Sequence, residues 1–172
     1  MASTTPKVIV VRSNNPDNMM QRTNENLGNG AIIPGELLVW VNSGADLDQH
    51  ATAGGNRQNT KVAIENMFSD HGTIASSDGL NIDHAYADNE TVFYIQGIPG
   101  DRLYMWASTS QTIVKGDPLV SDGAGMLAKH TAQAVNEAGS ATFTSYVDAI
   151  VGYAAQDVTT TSTKARILVD IA

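Results

Sequence analysis

The chain has 172 residues, 42% apolar and 6% aromatic, with 15 Gly and no Cys. That length can bury one sizeable core, and the composition excludes collagen-like, low-complexity and disulfide-scaffold classes along with thiol catalysis and thiolate metal sites. Lys and Arg number 10 against 18 Asp and Glu, a net charge of −8, and the cations stand singly along the chain, which excludes a phosphate-gripping nucleic-acid binder.

At the amino terminus, MASTTPKVIVVRSNN holds only the short apolar run 8–11, whereas a secretory signal needs about 7–15 apolar residues. No signal is expected, nor a membrane span, which requires about 20. A soluble protein made in the cytoplasm is the expectation. Residues 8–11 are β-branched and read as a short strand. From Ser13 to Gly30 the sequence is polar and amide-rich; it offers too little apolar surface to offset its ordering entropy and reads as an arm or loop ordered by a partner.

Pro34-Gly35 then marks a turn, 37–41 a strand, and Asn42-Ser43-Gly44 its close. Residues 61–67 read as another strand. Three period-2 runs follow at 91–95, 102–107 and 112–115, separated by turn signals such as Gly97-Ile98-Pro99-Gly100, with the spacing of a sandwich or barrel. Leu119-Val120 and Met126-Leu127 flank a hairpin loop, Ser121-Asp122-Gly123-Ala124-Gly125, and the last strands are 146–154 and 164–171 around a Thr-rich connection at 159–163. Only 130–138 has any helical character. The residues therefore predict an all-β fold with a polar N-terminal arm (1–30) and a single β domain (31–172).

Candidate chemistry is sparse. Asp46, Asp48 and His50 form D-x-D-x-H on an extended segment and could hold a divalent ion, but the Gly and Glu that complete a calcium loop are missing, and a solvated acidic loop is the alternative. The pairs Asp70-His71 and Asp83-His84, with Ser69, Ser76 or Ser77, suggest a nucleophilic triad, yet no G-x-S-x-G is present. Gly28-Asn29-Gly30 opens like a dinucleotide loop, but Ile33 stands where its third Gly belongs and Pro34 follows. Trp40, Tyr94, Tyr104, Trp106 and Tyr153 could stack on a sugar or pack within strands. No cofactor is expected.

Motif order carries more. Ile33-Pro34-Gly35-Glu36-Leu37-Leu38, His50-Ala51-Thr52-Ala53-Gly54-Gly55, Val62-Ala63-Ile64-Glu65-Asn66 and Ile82-Asp83-His84-Ala85-Tyr86 are followed by Pro99-Gly100-Asp101-Arg102-Leu103-Tyr104. Next come Gly116-Asp117-Pro118-Leu119-Val120-Ser121-Asp122-Gly123-Ala124-Gly125-Met126-Leu127, then Ile150-Val151-Gly152-Tyr153-Ala154 and Ala165-Arg166-Ile167-Leu168-Val169. Over residues 30–172 this order resembles the capsid decoration (head cement) proteins of tailed bacteriophages. One departure is Asp88-Asn89-Glu90, where that family shows a Gly-Asp turn.

The resemblance implies a small β-barrel or β-tulip-like body, no enzymatic activity, and a place on the outer surface of the virion capsid. It further implies that the body clamps neighbouring major capsid protein subunits as a homodimer or homotrimer. On that reading Lys7, Val8, Ile9, Val10, Val11 and Arg12 are the candidate capsid or inter-subunit contact, adding as a strand to an exposed sheet edge; a plain first strand of the chain's own sheet is the alternative. Trp40, Tyr104 and Trp106 are the candidate oligomer anchors. Neither nucleic acid nor membrane is an expected partner. A tail-associated or carbohydrate-binding virion adhesion module is the competing function, and a small hydrolase built on the Asp46/His50 or Asp83/His84 loops is the enzymatic one.

Overall fold

A computed structural model describes residues 5–54, 60–66, 82–131 and 150–172. In chain order these form β1 (Val10–Arg12), a 3-10 turn (Pro16–Asn18), α1 (Met19–Arg22), β2 (Thr23–Gly28), β3 (Leu37–Val41), a second 3-10 turn (Asn42–Gly44), β4 (Asp46–Gln49) and β5 (Lys61–Ala63). There follow β6 (Thr91–Gln96), β7 (Arg102–Ala107), β8 (Thr112–Ile113), β9 (Pro118–Ser121), β10 (Leu127–Lys129), β11 (Ile150–Ala154), β12 (Val158–Thr159) and β13 (Ala165–Ile171). The fold is all-β, as the turn spacing predicts.

Two rings of strands organise it. The amino-terminal barrel closes in the order β2-β4-β3-β5-β6. In the second sheet, β7 pairs with β10, β10 with β9, β9 with β11, β11 with β13, and β13 again with β7, so these strands also return on themselves. Closure removes the free sheet edges that would otherwise template aggregation. Strand β1 lies outside this carboxy-terminal ring, antiparallel to β7, with Val10 opposite Leu103 and Arg12 opposite Arg102.

Period-2 alternation explains the second ring. On β7, Leu103, Met105 and Ala107 are fully buried, as are Ile167 and Val169 on β13, with Ile171 nearly so. They meet Leu119, Leu127 and Val151 in one apolar cluster. Each such side chain contributes about 1.5–3 kcal/mol on burial. In the amino-terminal ring, by contrast, the strands facing the other barrel are buried on both sides. Leu37 and Val62 join the carboxy-terminal cluster, while their neighbours Leu38 and Ala63 fill the amino-terminal interior with Leu47, Val92 and Tyr94. That is why 37–41 reads as an apolar run without clean alternation.

The polar segment 13–30, expected as an arm, is built into the body. Thr23–Gly28 forms β2, paired along its length with β6 and at its end with β4. Backbone hydrogen bonds, which need no apolar side chain, supply the ordering that composition could not. Gly28 faces inward so closely that an added Cβ would lie 2.9 Å from Val92 Cγ2. The strands after residue 31 thus divide between two barrels that share one apolar cluster. The departure at Asp88-Asn89-Glu90 is accommodated because Asn89 takes φ 60°, a left-handed conformation that Asn tolerates. The strand start at 146–149, residue 67 and nearly all of 130–138 lie outside the described residues.

Candidate functional site

Of the two alternatives for Lys7–Arg12, the structure has the strand in the chain's own sheet. Ile9 is fully buried; its carbonyl accepts the Tyr104 N–H at 2.8 Å, and its own N–H donates to Glu65 Oε1 at 2.5 Å. Lys7, Val8, Val11 and Arg12 remain exposed, Val8 to 48% and Val11 to 39%. Along the same edge of β7, β1 is succeeded by Gly35, whose carbonyl accepts the Trp106 N–H at 3.2 Å, and then by β10 through Ser108 N–H to Leu127 C=O at 2.8 Å.

Gly35 is the hinge between the barrels. Its N–H donates to Ala63 of the amino-terminal barrel at 2.8 Å while its carbonyl serves Trp106 of the other. The residue sits at φ +92°, and a Cβ there would lie 2.9 Å from the Tyr104 carbonyl oxygen. Only glycine fits that approach. Around it the candidate oligomer anchors Tyr104 and Trp106 are engaged within the chain. Trp106 Nε1–H donates to Pro34 C=O at 3.0 Å, and the ring faces Arg166 at 4.1 Å and Lys164 at 4.7 Å. Tyr104 is 8% exposed. Arg166 also reaches Asp83 at 2.5 Å and the carbonyls of Pro34 and Ile82. Lys164 lies 3.4 Å from buried Glu36, whose other oxygen accepts Ile33 N–H and Gln49 Nε2–H.

Trp40, partly buried, packs against the apolar cluster of the amino-terminal barrel. Its ring meets Tyr94 edge-on at 5.8 Å, with Lys61 Nζ 5.4 Å from its centroid. Burial lowers the Lys61 pKa and raises that of Tyr94. Nearby, the Tyr86 hydroxyl donates to the carbonyls of Glu65 at 2.8 Å and Ile64 at 3.2 Å, and burial holds its pKa well above the ordinary phenol range.

D-x-D-x-H does not assemble. Alternation along β4 buries Leu47 and turns Asp46 and Asp48 outward, Asp48 accepting from Asn29 Nδ2 at 2.9 Å. His50 lies past the strand end, its main chain bridging Leu37 and Gly125. Among the described residues no group of three His, Cys, Asp or Glu could hold a metal ion. Asp83 is spent on Arg166, and Ser69, Asp70, His71, Ser76 and Ser77 lie outside the described residues. No helix among the described residues is long and apolar enough to cross a membrane.

Two charged arrangements escaped the sequence. Asp101 is fully buried; burial opposes its ionisation, but Arg22 Nη1 at 2.5 Å and the N–H groups of Ile98 and Asn14 outweigh it and hold the carboxyl below the usual range. On the outer face of the carboxy-terminal barrel a row crosses the strands at one register. Pro118 lies opposite Tyr153, Tyr153 opposite Asp170, Asp170 opposite Arg102, and Arg102 opposite Arg12. Arg102 grips Asp170 with two bonds of 2.7 Å, and Arg12 adds a third at 3.4 Å. The Arg102 hydrogen bonds, with further attraction from Arg12 and Lys115, hold Asp170 below the ordinary carboxylate range.

The barrels differ in charge. Described residues from 13 to 96 carry nine acids and two bases, a net of 2 − 9 = −7; those in 5–12, 97–131 and 150–172 carry five acids and seven bases, a net of 7 − 5 = +2. The signal was present in the residue order but has meaning only once the barrel boundary is known.

Fold and surface together define an all-β protein of two closed barrels with a row of paired charges on the outer face of the second. The chain matches no protein-family model and no curated protein.

Proposed function

We propose that the protein decorates the outside of a tailed-bacteriophage head, where it binds the mature capsid and clamps neighbouring major capsid subunits as a homo-oligomer. A ligand that binds the assembled lattice and not free subunits stabilises the shell by mass action, and no catalytic group is required. The motif order of residues 30–172 supports the reading, and so does the placement of those motifs. Pro34-Gly35, Asp101 and the Gly123-Gly125 loop are joints of the body.

The observation that carries the reading is β1. It is the terminal strand of its sheet, attached to a body whose other main strands are closed into rings, and Val11 on it and Val8 just before it are exposed to solvent. Backbone pairing along such an edge provides affinity and the exposed valines provide contact. Because Ile9 belongs to the core, the test is substitution of the two exposed valines rather than removal of the segment. Val8→Asp with Val11→Asp is expected to leave the melting temperature within a few degrees and to abolish sedimentation with expanded capsids. Unchanged co-sedimentation would remove β1 from the interface. Quantitative mass spectrometry of purified virions decides the role itself. A copy number of the order of the major capsid protein is expected; a few copies would favour the tail-associated or carbohydrate-binding alternative, and absence from the particle would overturn the reading.

A further inference from the structure

We infer that the amino-terminal barrel accepts an extended segment of a partner protein as an added strand along β2, and that this segment carries cationic side chains at the alternate positions that point away from the barrel. The edge lies on the other barrel from β1 and does not depend on the capsid reading.

The ring is thinly closed at this seam. β2 meets β4 only at Leu27 and Gly28, opposite Asp46 and Leu47, whereas its pairing with β6 runs from Thr23 to Leu27. Residues 23–26 therefore continue past the start of β4, which the chain enters from the 3-10 turn Asn42–Gly44. Amide direction alternates along a strand, so the bonds at one end fix which side each residue serves. Gly28 N–H donates to Glu90 C=O at 2.9 Å and its C=O accepts Asn89 N–H at 3.0 Å, both from the turn that opens β6, and Asn26 and Asn24 share that side. Asn29 N–H donates to Leu47 C=O on β4 at 2.7 Å, so Thr23, Glu25 and Leu27 face the seam. Leu27 N–H is capped by Asn26 Oδ1 at 2.8 Å. At Glu25, among the described residues, no strand lies alongside. A strand edge of this kind is a template for another extended chain.

Charge selects the occupant. Leu27 is 46% exposed, with Glu25 two residues before it on the same strand and face, Asp46 opposite it, and Asp48 two residues on from Asp46. The two cations among the described residues of 13–96 are turned elsewhere: Arg22 pairs with buried Asp101, and Lys61, 5% exposed, lies against the Trp40 ring. The outer face thus sets one apolar side chain among carboxylates, which attracts Lys or Arg on an incoming strand and repels Asp or Glu. On the inner side, Tyr94 is the cross-strand partner of Asn24, and its ring meets Trp40 at 5.8 Å. Side chains of the added strand that point inward therefore meet aromatic rings and the Lys61 ammonium, which favours uncharged apolar residues there. The fitting sequence alternates cationic and apolar residues.

The experiment is titration of the isotope-labelled full chain, followed by amide NMR, with a short synthetic peptide of alternating Lys and Val. Saturable shifts centred on the Glu25 and Leu27 amides are expected. The same peptide with methylated backbone amides keeps its charge but loses its donors, and an alternating Glu-Val peptide reverses the charge; each is expected to bind at least about tenfold more weakly. Glu25→Pro removes the N–H that faces the seam and spares those that pair with β6, and it is expected to weaken binding more than Glu25→Gln, which removes only the charge. Should Glu25→Pro fail to fold, the methylated peptide decides the point on the wild-type chain. The inference is overturned if the Lys-Val peptide does not bind, if the methylated peptide binds equally well, or if the shifts map away from β2. Val8→Asp with Val11→Asp is expected to bind the peptide as the wild type does, so loss of the β1 contact and loss of this one are told apart.

Discussion

The two barrels contain the same number of ring strands yet are held together differently. The carboxy-terminal one is filled by aliphatic side chains at alternate positions, Leu103, Met105, Ile167 and Val169 among them. Its amino-terminal counterpart encloses Tyr86, Tyr94, Trp40 and the ammonium of Lys61, and one of its strands, TNENLG, has almost no apolar residue. The comparison teaches that closure of a small barrel is a property of the backbone ladder. A ring can take a polar strand if its neighbours supply the partners, whereas an alternating sequence is needed only where the interior is the main source of burial.

The strongest way to break the comparison is at Asp101, where the α1 segment leading into the amino-terminal barrel is clamped to the turn that opens β7. Asp101→Ala leaves the Arg22 guanidinium, 13% exposed, without its counter-charge and is expected to cost about 3–5 kcal/mol in chemical denaturation. A loss below about 1 kcal/mol would mean that the clamp contributes little beyond its backbone bonds.

Next in size is the hinge. Gly35→Ala adds a Cβ at a left-handed φ and against the Tyr104 carbonyl, an expected cost of about 1–3 kcal/mol. Its signature is a shift in the Trp106 fluorescence environment, because the Trp106 N–H bonds the same residue. Within the amino-terminal interior, Tyr86→Phe removes the hydroxyl that serves the Ile64 and Glu65 carbonyls and is expected to lose about 1 kcal/mol by thermal unfolding. An unchanged protein would show that those carbonyls are satisfied without it.

The smallest effect is that of pH. Asp101 and Asp170 are both held below their ordinary range in the folded chain, so the unfolded state binds protons more readily. The stability they confer is complete above the unfolded pKa of about 4 and is lost as pH falls through it towards their folded values. Urea unfolding at pH 3 and pH 6 is expected to show this loss. Asp101→Asn flattens the profile, while Asp170→Asn, on a half-exposed pair, changes stability by under about 1 kcal/mol.

The legible part of the fold was the part whose chemistry is local. The period-2 runs at 91–95 and 102–107, the Gly123-Gly125 hairpin and the strand at 37–41 all appear where their patterns place them. β2 and β4 were not legible as barrel strands: Asn, Glu and Asp side chains pointing outward say nothing about the pairing of β2 with β6 far along the chain, or of β4 with its neighbour β3 and with β2. The β1 segment was readable as a strand, but whether its partner was β7 or another molecule depended on Ile9, one apolar residue among several, entering the core. Trp106 was conspicuous as an aromatic, yet its flanking cations, Lys164 and Arg166, are nearly sixty residues away in sequence and reach it only because β13 pairs with β7.

By itself, then, the sequence determined the all-β class, the turns and the overall acidity, because backbone propensity, glycine geometry and net charge are properties of short segments or of composition. Tertiary structure alone decided the closure of two rings and the burial of Asp101 against Arg22, and it gave a barrel boundary to a difference in charge already present in the residue order. Those features arise from pairings between distant strands, and only such pairings bring residues of widely separated sequence position onto one face.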